Sequence, residues 1–327
     1  MINRVLRSKR LRSSVKRALS LAGMQRFSPQ VVRLASRLQV ARRRDAGAVA
    51  DYWTEVNITQ HHRFTSAQDS LDYFHWRNDL YYSYIDHLPV SGQDGKVVLD
   101  YGCGPGHDLV GFAVYSKPKR LIGMDVSARS LAEATVRLAL HGAQPEMMLL
   151  KPDATTLPLD TASVDLVHCS GVIHHTPDPL QVLRELRRVM KPTGMGQVMV
   201  YNYDSLWLHH YVAYQVRIVE RRYTDMSIRD AFARTTDGPD CPISRVYKPS
   251  EFIELCREAG FAAECVGVAI YMPEALLFQK RFDAIQHRGL PAESRKFLLS
   301  LEVERHGLPT YEGRYAGIDG CYRLHPI

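Results

Sequence analysis

Hydrophobic positions between residues 97 and 201 follow two rhythms. Apolar runs at 97–99, 121–124, 147–150, 163–169 and 196–201 show little alternation, the mark of strands covered on both faces. Between the fourth and fifth runs, Leu180, Leu183, Leu186, Val189 and Met190 recur at helical spacing. Lys191 and Pro192 are expected to stop that helix. Five strand–helix units in a row predict a Rossmann-like, doubly wound, mostly parallel sheet. Ser250 is expected to cap a helix over 251–259, Gly260 to end it, and Phe261 to open a sixth strand. A last strand over 316–324 would make seven.

The first strand run ends in Asp100-Tyr101-Gly102-Cys103-Gly104-Pro105-Gly106. Three alternate glycines let the chain turn sharply and bring bare backbone against a ligand, at the strand end where open α/β sheets bind nucleotides. A dinucleotide fingerprint would need glycine where His107 stands. Later runs also end in acids: Asp125, 25 positions after Asp100, and then Asp153. The pattern D-x-G-x-G-x-G, followed by this ordered series of acids, resembles the class I S-adenosylmethionine (SAM)-dependent methyltransferases over roughly residues 90–270. The family often carries Lys-Pro-Gly-Gly after its fourth helix. This chain has Thr193 at the first of those glycines.

The resemblance implies a division of labour. Gly102, Cys103, Gly104 and Gly106 would wrap the methionine part of SAM, and Asp100 would anchor its amino end. Asp125, with Val126 beside it, would take the ribose diol, and Asp153 with Ala154 would contact adenine. Ser170, at the end of the fourth run, completes the expected cofactor set.

Methyl transfer to oxygen or carbon requires removal of a proton, hence a base near neutral pKa. The turn Ser170-Gly171-Val172-Ile173-His174-His175 follows the fourth strand, and His174 or His175 suits that role. Adjacent side chains in a loop diverge, so only one is expected to point inward. Asp178 or Asp204 would orient it, and Tyr203 would help hold or deprotonate the acceptor. Aromatic residues crowd residues 51–88, where Tyr73, Trp76 and Tyr82 are expected to face a sulfonium, a cation favoured beside aromatic rings. Helices before the glycine motif often close over SAM in the family, so residues 45–92 read as a lid and 93–327 as the core. Insertions at about 203–246 and 273–310 would build acceptor specificity, with His209 and Arg245 as further contacts. The His-His pairs at 61/62, 174/175 and 209/210 lack the spacing of metal ligands, so no metal is expected.

Charge changes the picture at one end. Of 42 Lys and Arg, 13 lie within residues 1–44, which hold no acid; the remaining 29 face all 35 Asp and Glu. The formal charge of +7 therefore resides in a basic leader, while the rest is net acidic. Apolar residues of the leader approximate one helical face, fitting a helix on an anionic membrane surface, a transit peptide, or packing on the body or a partner. A homodimer exchanging these segments is compatible with that last reading. The acidic body argues against a nucleic acid substrate. Six scattered cysteines without C-x-x-C spacing point to a reducing, cytoplasmic setting, membrane-peripheral if the leader binds lipid. The expected acceptor is a small molecule: a secondary metabolite, a lipid precursor or a glycoconjugate. A lipid or quinone acceptor at a membrane and a non-catalytic SAM-binding partner protein are the alternatives.

Overall fold

A computed structural model describes residues 46–152, 154 and 156–327; the leader and Asp153 lie outside the described residues. Strands β2 (Val97–Tyr101), β3 (Arg120–Asp125), β4 (Glu146–Leu149), β5 (Val164–Ser170) and β6 (Met190–Tyr201) pair in parallel. Strand β11 (Asp319–Pro326) inserts antiparallel between β6 and β7 (Phe261–Tyr271). The two-residue strand β1 (Tyr81–Tyr82) adds to the β7 edge, giving the order β1-β7-β11-β6-β5-β2-β3-β4. The expected seven-stranded, mostly parallel sheet is therefore present with one short extra strand. Strand order reverses at β2, whose neighbours are β3 and β5, so the crevice at their carboxyl ends is the switch point. A second sheet of β8 (Glu302–Val303), β9 (Pro309–Tyr311) and β10 (Arg314–Tyr315) begins within the second expected insertion and runs past its expected end.

Local chemistry explains the elements that frame the crevice. Helix α1 (Ala46–Glu55) and α2 (Ala67–Leu80) precede the sheet, α2 starting where the Ser66 hydroxyl accepts from the Asp69 amide. Helix α3 (Tyr84–His87) is one turn, α4 (His107–Tyr115) follows β2, and α5 (Ala128–Ala139) is capped by Ser127. Helix α6 (Pro179–Val189) begins with Asp178 accepting from Gln181 N at 3.0 Å and buries Leu183, Leu186 and Val189. It ends before Met190, and Lys191-Pro192 lie inside β6 rather than in a loop, an extension toward the N-terminus that periodicity did not reveal. Within the first insertion, α7 (Trp207–Val219) is π-helical and α8 (Ile228–Thr235) packs on it. Helix α9 (Pro249–Glu258) is capped at Lys248, not Ser250: the Lys248 amide donates to Glu251 Oε2 at 2.9 Å and Pro249 takes the first helical position. Gly260 ends it with φ of +89°, as expected.

Candidate active site

The glycine turn is shaped by two different demands. The Gly102 and Cys103 amides donate to Met124 O at 2.7 and 2.9 Å, tying the turn to β3. Gly102 has φ of +77°, and a Cβ there would stand 2.2 Å from Val172 Cγ2; Gly104 has φ of +51° with open space where its Cβ would be. Gly106 differs from its expected role. It does not line the cavity, and a Cβ would press on Leu138 and Ala134 of α5, so this glycine serves helix packing.

Gly102, Cys103 and Gly104 border a cavity of about 870 Å³ over the carboxyl ends of β2, β3, β5 and β6. Asp100, Asp125, Val126, Ala154 and Ser170 line it too. Asp125 accepts from Gly104 N at 2.9 Å and Ser127 N at 2.8 Å, which fixes its carboxylate at the end of β3; burial raises its pKa. Asp100 is buried with Oδ2 unpaired, and burial pushes it up to about 7 against the pull of His168.

Two residues that sequence reasoning missed complete this corner. Asp108 lines the cavity, holds His168 Nε2 at 3.1 Å and the Tyr84 hydroxyl at 3.0 Å through Oδ2, and leaves Oδ1 unpaired. Burial favours its neutral form, but the His168 contact wins and keeps it well below the usual carboxylate range. Arg77 of α2 lines the same corner with a buried, unpaired Nη1. Burial opposes its charge, yet Asp108 and the tyrosines around it keep it protonated. Two unpaired carboxylate oxygens and one unpaired guanidinium nitrogen thus face one end of the cavity, a set matched to an α-amino acid zwitterion.

The opposite end is built from distant segments. His175 lines it, whereas His174 is fully buried, does not line it, and has both ring nitrogens unpaired. The turn resolves the pair as expected, with one histidine inward. His175 Nδ1 lies 2.7 Å from Ile243 O, which requires the proton on Nδ1 and leaves the Nε2 lone pair free. Burial lowers its pKa, so the ring is neutral at pH 7. Asp237 Oδ2 stands 3.9 Å from Nε2, and Trp53 of α1 packs on the ring at 4.7 Å between centroids. Asp237 is held by the Tyr201 and Ser244 hydroxyls, each at 2.7 Å, and its backbone oxygen accepts from the Tyr52 hydroxyl. Of the two expected orienting acids, Asp178 lines the cavity but its carboxylate caps α6, and Asp204 is absent from the cavity wall. Cys241, with His175 and Asp237, forms the one trio among the described residues whose ligand atoms come within 4.8 Å of one another. Hydrogen bonds already occupy the His175 Nδ1, Asp237 and Cys241 positions.

Four other expected contacts lie elsewhere. Tyr203 points away from the cavity and donates to Glu293 at 2.8 Å, because the chain leaves β6 after Tyr201 and turns. His209 is buried in α7 against Phe297 and Ser294. Tyr82 is 38% exposed on the outer face of β1 against Tyr315; strand alternation sends its neighbour Tyr81 into the cavity. Arg245 braces the histidine turn through Thr176 O and Pro177 O instead of lining the cavity. Tyr73 and Trp76 do line it, as do Trp207, Tyr271 and Asp319.

Residues 99–196 match the family model described as "Methyltransferase domain". A ubiquinone biosynthesis O-methyltransferase of Paracidovorax citrulli is 28% identical over 242 residues, 73% of this chain and 85% of that protein. A 2-methyl-6-phytyl-1,4-hydroquinone methyltransferase of Spinacia oleracea is 28% identical over 42% of this chain and 39% of its own length. A 37.1 kDa protein of transposon TN4556 from Streptomyces fradiae is 34% identical, over 43% of this chain and 40% of its length. Among solved structures, geranyl diphosphate C-methyltransferase of Streptomyces coelicolor superposes with a TM-score of 0.47 at 14% identity, covering 86% of this chain and 96% of that one.

Proposed function

We propose that this chain, a class I SAM-dependent methyltransferase, methylates a hydroxyl of a small aromatic molecule, with His175 as the base. One observation carries the reading: a neutral histidine with its Nε2 unprotonated faces an aromatic compartment continuous with the amino-acid corner. Asp100 and Asp108 suit the ammonium of SAM, Arg77 its carboxylate, and Asp125 the ribose diol; Asp153, outside the described residues, keeps its proposed adenine contact. When bound, SAM supplies a methyl on a sulfonium, already activated for displacement. The Ile243 carbonyl holds the tautomer, so Nε2 would receive the acceptor's proton as the acceptor oxygen bonds to the methyl carbon and the carbon–sulfur bond breaks, its electrons leaving with the thioether product. Asp237 then faces the resulting imidazolium, and Trp53 and Trp207 help keep water from the reacting oxygen. The relatives' names, which concern quinone and hydroquinone methylation, support an aromatic acceptor without identifying it. The basic leader favours a second setting for the same chemistry, a lipid-soluble acceptor at an anionic membrane surface. No helix among the described residues is long and apolar enough to cross a membrane.

The test is His175→Gln. Turnover, followed as S-adenosylhomocysteine release with an alkylated diphenol, should fall roughly 10²- to 10⁴-fold, while calorimetric SAM affinity stays within about twofold. A variant of full activity would remove the base assignment.

A further inference from the structure

Two acids are buried where β7 and β11 meet the first insertion, and they are treated differently. Glu274 accepts backbone hydrogen bonds from Tyr271, Trp207 and Ile318 at 3.1, 3.1 and 2.7 Å, and it does not reach the cavity. It pins the chain. Asp319 is only 2% exposed and opens on the cavity, and its carboxylate accepts no hydrogen bond from the described residues. Leaving a buried carboxylate unsatisfied is costly, and such groups are usually completed by a ligand or water.

Its position narrows the ligand. Asp319 pairs with Tyr201 across the β6–β11 ladder, which places the two side chains on one sheet face as neighbours. The Tyr201 hydroxyl is committed to Asp237, which faces His175. The acceptor compartment therefore offers two open hydrogen-bond acceptors, His175 Nε2 and Asp319, against aromatic walls. Of the basic groups lining the cavity, Arg77 is shared between Asp108 and Asp319, and Lys151 adjoins Pro152 and Ala154. An anionic ring substituent would meet the Asp319 and Asp237 carboxylates, with Arg77 already shared between two acids.

We infer that Asp319 is a specificity-determining residue that binds a second hydroxyl on the acceptor, making the substrate an uncharged diphenol. The inference rests on the methyltransferase reading and adds the substrate's substitution pattern. It also gives the fold a reason to tolerate an unsatisfied acid on its last strand: the second hydroxyl of a diphenol donates the missing bond, and a monophenol leaves it unmade.

The protein loaded with S-adenosylhomocysteine is titrated with 4-hexylcatechol, 4-hexylresorcinol, hexylhydroquinone, 4-hexylphenol and 4-hexylbenzoate. At least one diphenol should bind tenfold or more tightly than the phenol, and the benzoate weakest. Asp319→Asn should bring that diphenol to within about twofold of the phenol, with S-adenosylhomocysteine affinity unchanged. Equal affinity for phenol and all diphenols, an advantage that survives in Asp319→Asn, tight benzoate binding, or no binding of any phenol would each overturn the inference. The native protein's diphenol-to-phenol ratio decides the matter even if the variant does not fold. Failure to bind S-adenosylhomocysteine would instead sink the methyltransferase reading beneath it.

Discussion

The two ends of the cavity are made in opposite ways. The proposed cofactor end hangs from consecutive βα turns: β2 delivers Asp100 and the glycines, and β3 delivers Asp125. Each group sits at a strand terminus that the hydrophobic rhythm marks, and short turns leave little freedom in placing it. The proposed acceptor end is gathered from helix α1, the turn after β5, the loop around Asp237 and the start of β11. Its members are separated by up to 266 positions, from Trp53 to Asp319. A fold can keep the first end while rebuilding the second, so the two should respond differently to substitution.

The largest contrast, after loss of His175, is expected at Asp100. Asp100→Asn should weaken SAM binding on the order of 100-fold, a loss of about 2.7 kcal/mol of charge-assisted contact, measured by calorimetry at pH 8. The same change should stabilise the empty protein there. Unfolded, this acid titrates in the ordinary carboxylate range; folded, it titrates near 7. Between those values the folded chain holds a proton that the unfolded chain has lost, so stability falls as pH rises across that window. Asparagine removes the penalty, and the thermal midpoint at pH 8 should rise by several degrees. A midpoint that falls instead would mean that the ionised Asp100 supports the fold.

At the acceptor end, the two neighbouring histidines sharpen the comparison. His174 is buried against Tyr201, with ring centroids 3.9 Å apart and neither ring nitrogen hydrogen-bonded. His174→Leu should leave turnover within a few-fold and change stability by less than about 1.5 kcal/mol, because a volume-matched apolar side chain removes two unsatisfied nitrogens. Denaturant melts and S-adenosylhomocysteine release check both halves. The smallest effect is expected at Tyr203, where phenylalanine deletes the hydrogen bond to half-exposed Glu293. Stability should drop by about 1 kcal/mol, with kcat unaffected.

Why one end was legible follows from these particulars. Asp100, Gly102 and Gly104 announce themselves through position alone, since a strand end followed by glycine has few structural uses, and Asp125 closes the next strand run. Tyr201 and Tyr203 look equivalent in sequence; only the path of the chain after β6 sends one to Asp237 and the other to Glu293. The same holds for Tyr81 and Tyr82, separated by the pleat of a two-residue edge strand that has no periodicity to read. Arg77 carried a usable signal, a cation among aromatics on the helix that precedes the glycine motif. Asp237 lay in a polar loop with turn chemistry throughout, and Asp319 in a strand that pairs with segments 118 residues or more upstream in β6 and nearer in β7. For such residues the tertiary fold, rather than local pattern, decides the role. Gly106 makes the converse point, because a motif glycine can be required by a neighbouring helix and not by the ligand.

Methyl transfer requires the two ends to be halves of one reaction chamber. A crystal structure of the protein with S-adenosylhomocysteine tests this most directly. The amino-acid tail should lie against Asp100, Asp108 and Arg77, with the sulfur facing the compartment that holds His175 Nε2. A tail seated elsewhere, or a sulfur screened from that histidine, would contradict it.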